Sequence, residues 1–162
     1  MFRFSSSVFL KALFMSVFFC GIASQVSAVS STGLTPLIPN DPYWDRQWYA
    51  RQIHLPEAWS LSAGARPVTI AVIDAGVDVT HPDLRQNIWV NPGEIPGDGI
   101  DNDANGYVDD VHGWNFVKKN ADVGPSAQQY QDEESWSHGT FVASILAAKG
   151  DNHEGIAGVN WN

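Results

Sequence analysis

The sequence predicts an α/β fold, an open and mostly parallel sheet flanked by helices. Three observations predict it. Val68 to Ile73, Val-Thr-Ile-Ala-Val-Ile, is a nearly all-apolar, β-branched run without polar alternation, the pattern of a strand covered on both faces. Asp74 follows at once, and Gly76 can take a positive φ where the backbone leaves the sheet, the edge at which functional groups of open α/β sheets collect. Further on, Phe141, Val142, Ile145 and Leu146 share one face of a helix opening near Ser137 and stopping at Lys149-Gly150.

Residues 1–28 read as a secretory signal. Arg3 and Lys11 flank the apolar run Ala12–Ala23, and Val26-Ser27-Ala28 offers a small-residue cleavage site. The run is shorter than the ~20 residues a membrane-spanning helix needs, so no membrane attachment is expected once the signal is removed. The product would be secreted, extracellular or periplasmic. The lone Cys20 lies within the signal, so residues 29–162 have no thiol with which to form a disulfide.

The whole chain carries a net charge of −9, and removing Arg3 and Lys11 takes it to about −11. An acidic surface of that size argues against a nucleic-acid partner and favours bound divalent cations or a solvated exterior.

Residues 29–39 form a small, polar, proline-punctuated arm, and 40–162 one domain's worth of chain. Asn40 to Trp59 is rich in aromatics expected to pack in the core, with Pro56 in the first turn of a short helix running toward Ser62. After the 68–73 strand, Val79–Leu84 opens a short helical segment. Asn91–Asp110 is too polar and turn-rich for a core element, His112–Val117 reads as a strand, Lys118–Ser135 as a loop, and Gly155–Trp161 as a further buried strand.

Two features carry chemistry. His138, expected at or just before the start of its helix, is a candidate general base; Asp74 can accept from one ring nitrogen and leave the other for a nucleophile's proton. Asp101-Asn102-Asp103-Ala104-Asn105-Gly106 matches the opening of a calcium loop, with oxygen ligands at alternate positions and glycine at the sharp turn. Position twelve is His112, so it is not an EF-hand; Asp109 and Asp110 can supply carboxylates, and Tyr107 completes the alternating ligand positions. The expected cofactor is a structural Ca2+.

Val-Ile-Asp-Ala-Gly-Val-Asp, then Thr-His-Pro-Asp-Leu, then Ser-His-Gly-Thr-Phe-Val-Ala-Ser closely resemble the subtilisin-like serine peptidases. Asn40-Asp41-Pro42-Tyr43, Ala58-Trp59 and Gly155-Ile156-Ala157-Gly158-Val159 are also similar to that family's amino-terminal half. The resemblance implies a subtilisin-like fold, incomplete at its C-terminal end, polypeptide substrates, Asp74 and His138 as the acid and base of an Asp/His/Ser triad, and Asp41 and Asp83 as ligands of another calcium site. Three departures stand out. Ala75 replaces the family's usual Thr or Ser, and Ser144 replaces a glycine, where it can crowd a closely packed helix. The family's Gly-Thr-Ser-Met-Ala nucleophile motif and oxyanion-hole asparagine lie beyond Asn162, so these residues alone are expected to be inactive. The competing reading is a non-catalytic, secreted calcium-binding module derived from a peptidase. A nucleotide-binding domain is excluded because no phosphate-cradling glycine loop follows Ile73, and the seven tryptophans are too scattered for a carbohydrate-binding face.

Overall fold

The computed structural model describes residues 33–65, 68–126 and 133–162. The signal assigned to residues 1–28 and the first part of the 29–39 arm lie outside them.

The described structure is built on tryptophans. A 3-10 turn, Trp44–Arg46, leads into α1, Trp48–Gln52, and α2, Leu55–Trp59. Helices of five residues have too little internal bonding to stand alone. Burial holds these: Trp44, Ala50, Leu55 and Trp59 pack with Ala157 and Trp161 from the far end of the chain. The Trp59 ring lies 5.5 Å from Trp44 and 4.8 Å from Trp161, in the tilted arrangement aromatic pairs favour. Trp59 Nε1 donates to the Val159 carbonyl at 2.9 Å. Gln47 Nε2 donates to the Ala157 carbonyl at 2.8 Å and Gln47 Oε1 accepts the Ala157 amide at 2.9 Å, so a side chain bonds both backbone groups of Ala157 as a neighbouring strand would. Trp48 departs from the expected core role, with 71% of its surface exposed.

The long helix α3 spans Glu133–Ala147. It begins inside the stretch expected to be loop, because Glu133–Ser135 is helix-compatible but lacks the apolar periodicity that would reveal it. The expected apolar face is also not the buried one. Phe141 and Ile145 are exposed, whereas Gly139 and Ala143 are buried, since small residues allow another backbone to lie against the helix.

The predicted sheet is absent from the described residues. No strand forms at 68–73, 112–117 or 155–161, and the single bridge is an isolated antiparallel one between Asn115 and Asn120. A parallel strand needs ladder partners and covered faces; instead, Ile73 is 94% exposed. Residues 68–77, 86–90 and 112–117, with Ala143 and Leu146 of α3, border an open cavity of about 1350 Å³. The 155–161 segment uses its amides elsewhere: Gly158, Val159 and Asn160 donate to the carbonyls of Ala148, Ile145 and Leu146 at 3.0, 2.9 and 3.0 Å. They thereby satisfy carbonyls that the end of α3 leaves without an intrahelical donor.

Candidate active site

Asp74 stands at the end of the extended 68–73 segment, and the chain turns sharply behind it. Gly76 makes the turn with φ +126°, a conformation open to glycine, and a Cβ there would crowd the carbonyls of Val123 and Gly124. The Val77 amide donates to the Val123 carbonyl at 2.9 Å. The Asp78 amide donates to Thr140 Oγ1 at 3.0 Å, tying the turn to α3.

His138 is the sixth residue of α3, more than a full turn inside the helix and not at its mouth as the sequence suggested. Its Nδ1 lies 2.8 Å from Asp74 Oδ2. The approach depends on Gly139, where a Cβ would overlap the Gly76 carbonyl oxygen and press on Asp74. Asp74 Oδ1 accepts the Ala75 amide at 2.7 Å. That amide first, and the imidazole second, hold the Asp74 carboxyl below its usual range against the opposing effect of burial. The Asp74 side chain is 16% exposed and the imidazole 62%, so a sheltered anion faces an accessible ring. Chemically, an acid on Nδ1 sets the tautomer and leaves Nε2 for proton transfer. Neither serine near the ring is presented as a nucleophile: Ser137 is buried, and Ser144 Oγ donates to the Thr140 carbonyl at 2.8 Å, folding back on its own helix.

The acidic loop is a separate structure. The carboxylates of Asp101 and Asp103 converge with Glu94, oxygen to oxygen within 4.8 Å. Glu94, buried and missed by sequence reasoning, accepts the amides of Asn102, Asp103 and Asp109 at 2.9, 3.2 and 3.1 Å. The other candidates form hydrogen bonds within the same loop, as Asp101 and Asp103 themselves do. Asp109 accepts the Gly97 and Gly99 amides, Asp110 accepts from Asn91 and Asn105, and Asn105 Oδ1 accepts the Tyr107 amide. The Tyr107 ring packs 5.0 Å from Trp114 and 6.0 Å from Phe116.

Asp41 and Asp83 are both buried. Asp41 Oδ2 accepts the Asp151 amide at 2.8 Å, while its Oδ1 is buried with no hydrogen-bond partner among the described residues. Burial, with the Asp83 charge adding to it, raises the Asp41 carboxyl above its usual value despite the amides that bond it. Asp83 accepts Asn152 Nδ2 at 2.9 Å and the Ile156 amide at 3.0 Å. Asn152 was also not singled out from sequence; the run of turn residues after Gly150 was its only signal. Paired buried carboxylates with an orphaned oxygen fit a divalent cation, which supplies the missing positive charge and accepts oxygen donors at adaptable geometry.

Residues 65–162 match the subtilase family. The chain is 45% identical over 124 residues to a subtilisin-like protease 1 of Plasmodium vivax, covering 75% of this chain and 18% of that protein. It is 34% identical over 121 residues to halolysin of Haloferax mediterranei (75% of this chain, 18% of that protein). Against thermitase of Thermoactinomyces vulgaris it is 32% identical over 121 residues, 74% of this chain and 32% of that protein. The chain spans less than a fifth of the length of the Plasmodium relatives it matches. No helix among the described residues is long and apolar enough to cross a membrane.

Proposed function

The chain belongs to the subtilase family, and from that premise we propose that it supplies the acid and base of a secreted subtilisin-like serine endopeptidase. In this reading Asp74 holds His138 with its proton on Nδ1. Nε2 takes the proton of a serine hydroxyl as that oxygen attacks a peptide carbonyl, then delivers it to the departing amine, and water resolves the acyl-enzyme. No serine of these 162 residues is assigned as the nucleophile in this reading. The 2.8 Å contact between His138 Nδ1 and Asp74 Oδ2 is the observation that supports the reading. Residues 1–28 direct export, residues 29–39 link to the domain at 40–162, and the substrates are polypeptides.

Calcium is the proposed cofactor, in a structural role. Asp41 and Asp83 hold one ion, and Asp101 and Asp103 with Glu94 hold another. The bound ion offsets the mutual repulsion of the carboxylates and pins the loops that carry them.

Casein hydrolysis tests the proposal. The 162 residues alone are expected to give no turnover. A longer product read from the coding DNA past Asn162, containing Gly-Thr-Ser-Met-Ala, is expected to cleave casein and to lose that activity on His138→Ala. Turnover that survives the substitution overturns the assignment. An inactive longer product that still binds calcium favours the derived binding module, the reading that the carboxylate groups alone support.

A further inference from the structure

We propose that Thr140 is a positioning residue for the Asp74–His138 pair: its hydroxyl, by accepting the Asp78 amide, latches the turn that carries the acid onto the helix that carries the base. The proposal rests on the triad reading for the purpose of the pair, but the juxtaposition is independent of it.

The need for a latch follows from the fold. Among the described residues the 68–73 segment makes no ladder bonds, and the bonds that hold the turn after Asp74 come from downstream. Gly139 allows the helix and turn to touch, but packing against a glycine is non-directional. The Val77 amide bonds to Val123, which is not on α3. The Asp78–Thr140 bond at 3.0 Å is directional and joins the two elements that bear the pair. Thr140 is two residues beyond His138, and Asp78 four beyond Asp74. With the 2.8 Å pair, this bond closes a small ring that resists both sliding and rotation of the turn along the helix. Removing the hydroxyl leaves the partly buried Asp78 amide without its acceptor, which favours release of the turn toward water.

The test reads the imidazole directly in the 162-residue chain, by nitrogen-15 NMR of His138 at neutral pH. The parent chain is expected to show the Nδ1–H tautomer that a bond to Asp74 selects. Thr140→Val, nearly isosteric but without an acceptor, is expected to lose that selection and show a mixture of tautomers, with α3 retained by circular dichroism. Thr140→Ser is expected to restore it. A folded valine variant with the parent's tautomer overturns the proposal. If the valine variant does not fold, the serine variant decides: the parent tautomer supports the latch, and its loss with the hydroxyl present overturns it. Peptidase activity plays no part in this readout, so failure of the triad reading would leave the result intact.

Discussion

Asp74 accepts its neighbour's amide on one oxygen and faces His138 on the other, so the acid is held in place even before the imidazole contributes. The closer bond is the 2.7 Å one from Ala75, and it is the largest single cause of the depressed carboxyl pKa, with the imidazole adding both a hydrogen bond and its charge. A carboxylate with a lowered folded pKa stabilises the structure above its unfolded value of about 4 and loses that contribution as pH falls through the depressed value. A carbon-13 NMR titration of the Asp74 carboxyl should therefore show a midpoint below the ordinary carboxylate value, and His138→Ala should restore part of the shift but not all of it. Full restoration would show that the imidazole, not the amide, dominates.

Gly139→Ala places a methyl group against the Gly76 carbonyl oxygen and Asp74. Helix and turn must separate, at an expected cost of roughly 1–3 kcal/mol. Chemical denaturation measures the loss. The sequence pattern alone made Gly76 legible as a turn residue with positive φ, whereas Gly139 was visible as part of the Ser-His-Gly-Thr motif. Thr140 and Asn152 were not legible, because each acts through a partner far away in the chain, and Glu94 was not, because it precedes the loop motif it bonds. The subtilase family implies an α/β fold, yet the described residues form no strand. Apolar β-branched residues identify a segment able to pair, but pairing depends on neighbours that a local pattern does not contain. Helix α3 and the tryptophan base were easier to anticipate, although Phe141 and Ile145 turned out to lie on the exposed side because the buried face was selected for smallness.

Gly150 and Trp161 are in a similar relationship. A Cβ on Gly150 would enter the indole ring of Trp161. Gly150→Ala should displace that ring from Trp59 and lower the melting temperature. Gly33→Ala, with no atom within 4 Å of the added carbon, should leave it unchanged. Equal effects of the two substitutions would remove Trp161 from the stabilising core.

Trp59 joins both halves of that aromatic base and bonds Val159 through its indole nitrogen. Trp59→Ala should cost about 3–5 kcal/mol by loss of packing. Fluorescence-monitored unfolding measures the cost, and a change below about 1 kcal/mol would show that the cluster contributes little.

Calcium should raise the melting temperature, by an amount equivalent to about 2.7 kcal/mol when its concentration is 100 times the dissociation constant. Asp41→Asn should have opposite effects in the two conditions. In chelator, relief of repulsion from Asp83 stabilises the chain, and in millimolar calcium the lost ligand destabilises it. Glu94→Gln should weaken only the acidic-loop site. A melting temperature indifferent to calcium in the parent chain would dismiss both sites.

The uncovered segment at residues 68–73 has a consequence beyond this molecule. Val-Thr-Ile-Ala-Val-Ile is uncharged, β-prone and free of glycine and proline, and Val68 and Ile73 are 72% and 94% exposed. Such hexamers stack with copies of themselves into cross-β fibrils. Concentrated solutions of the chain should develop thioflavin fluorescence with a lag. Thr69→Lys, which sets a charge in every rung of the stack, should suppress it while leaving the tryptophan base untouched. The same six residues that suit a strand of a parallel sheet are thus the ones through which the isolated chain is expected to self-associate.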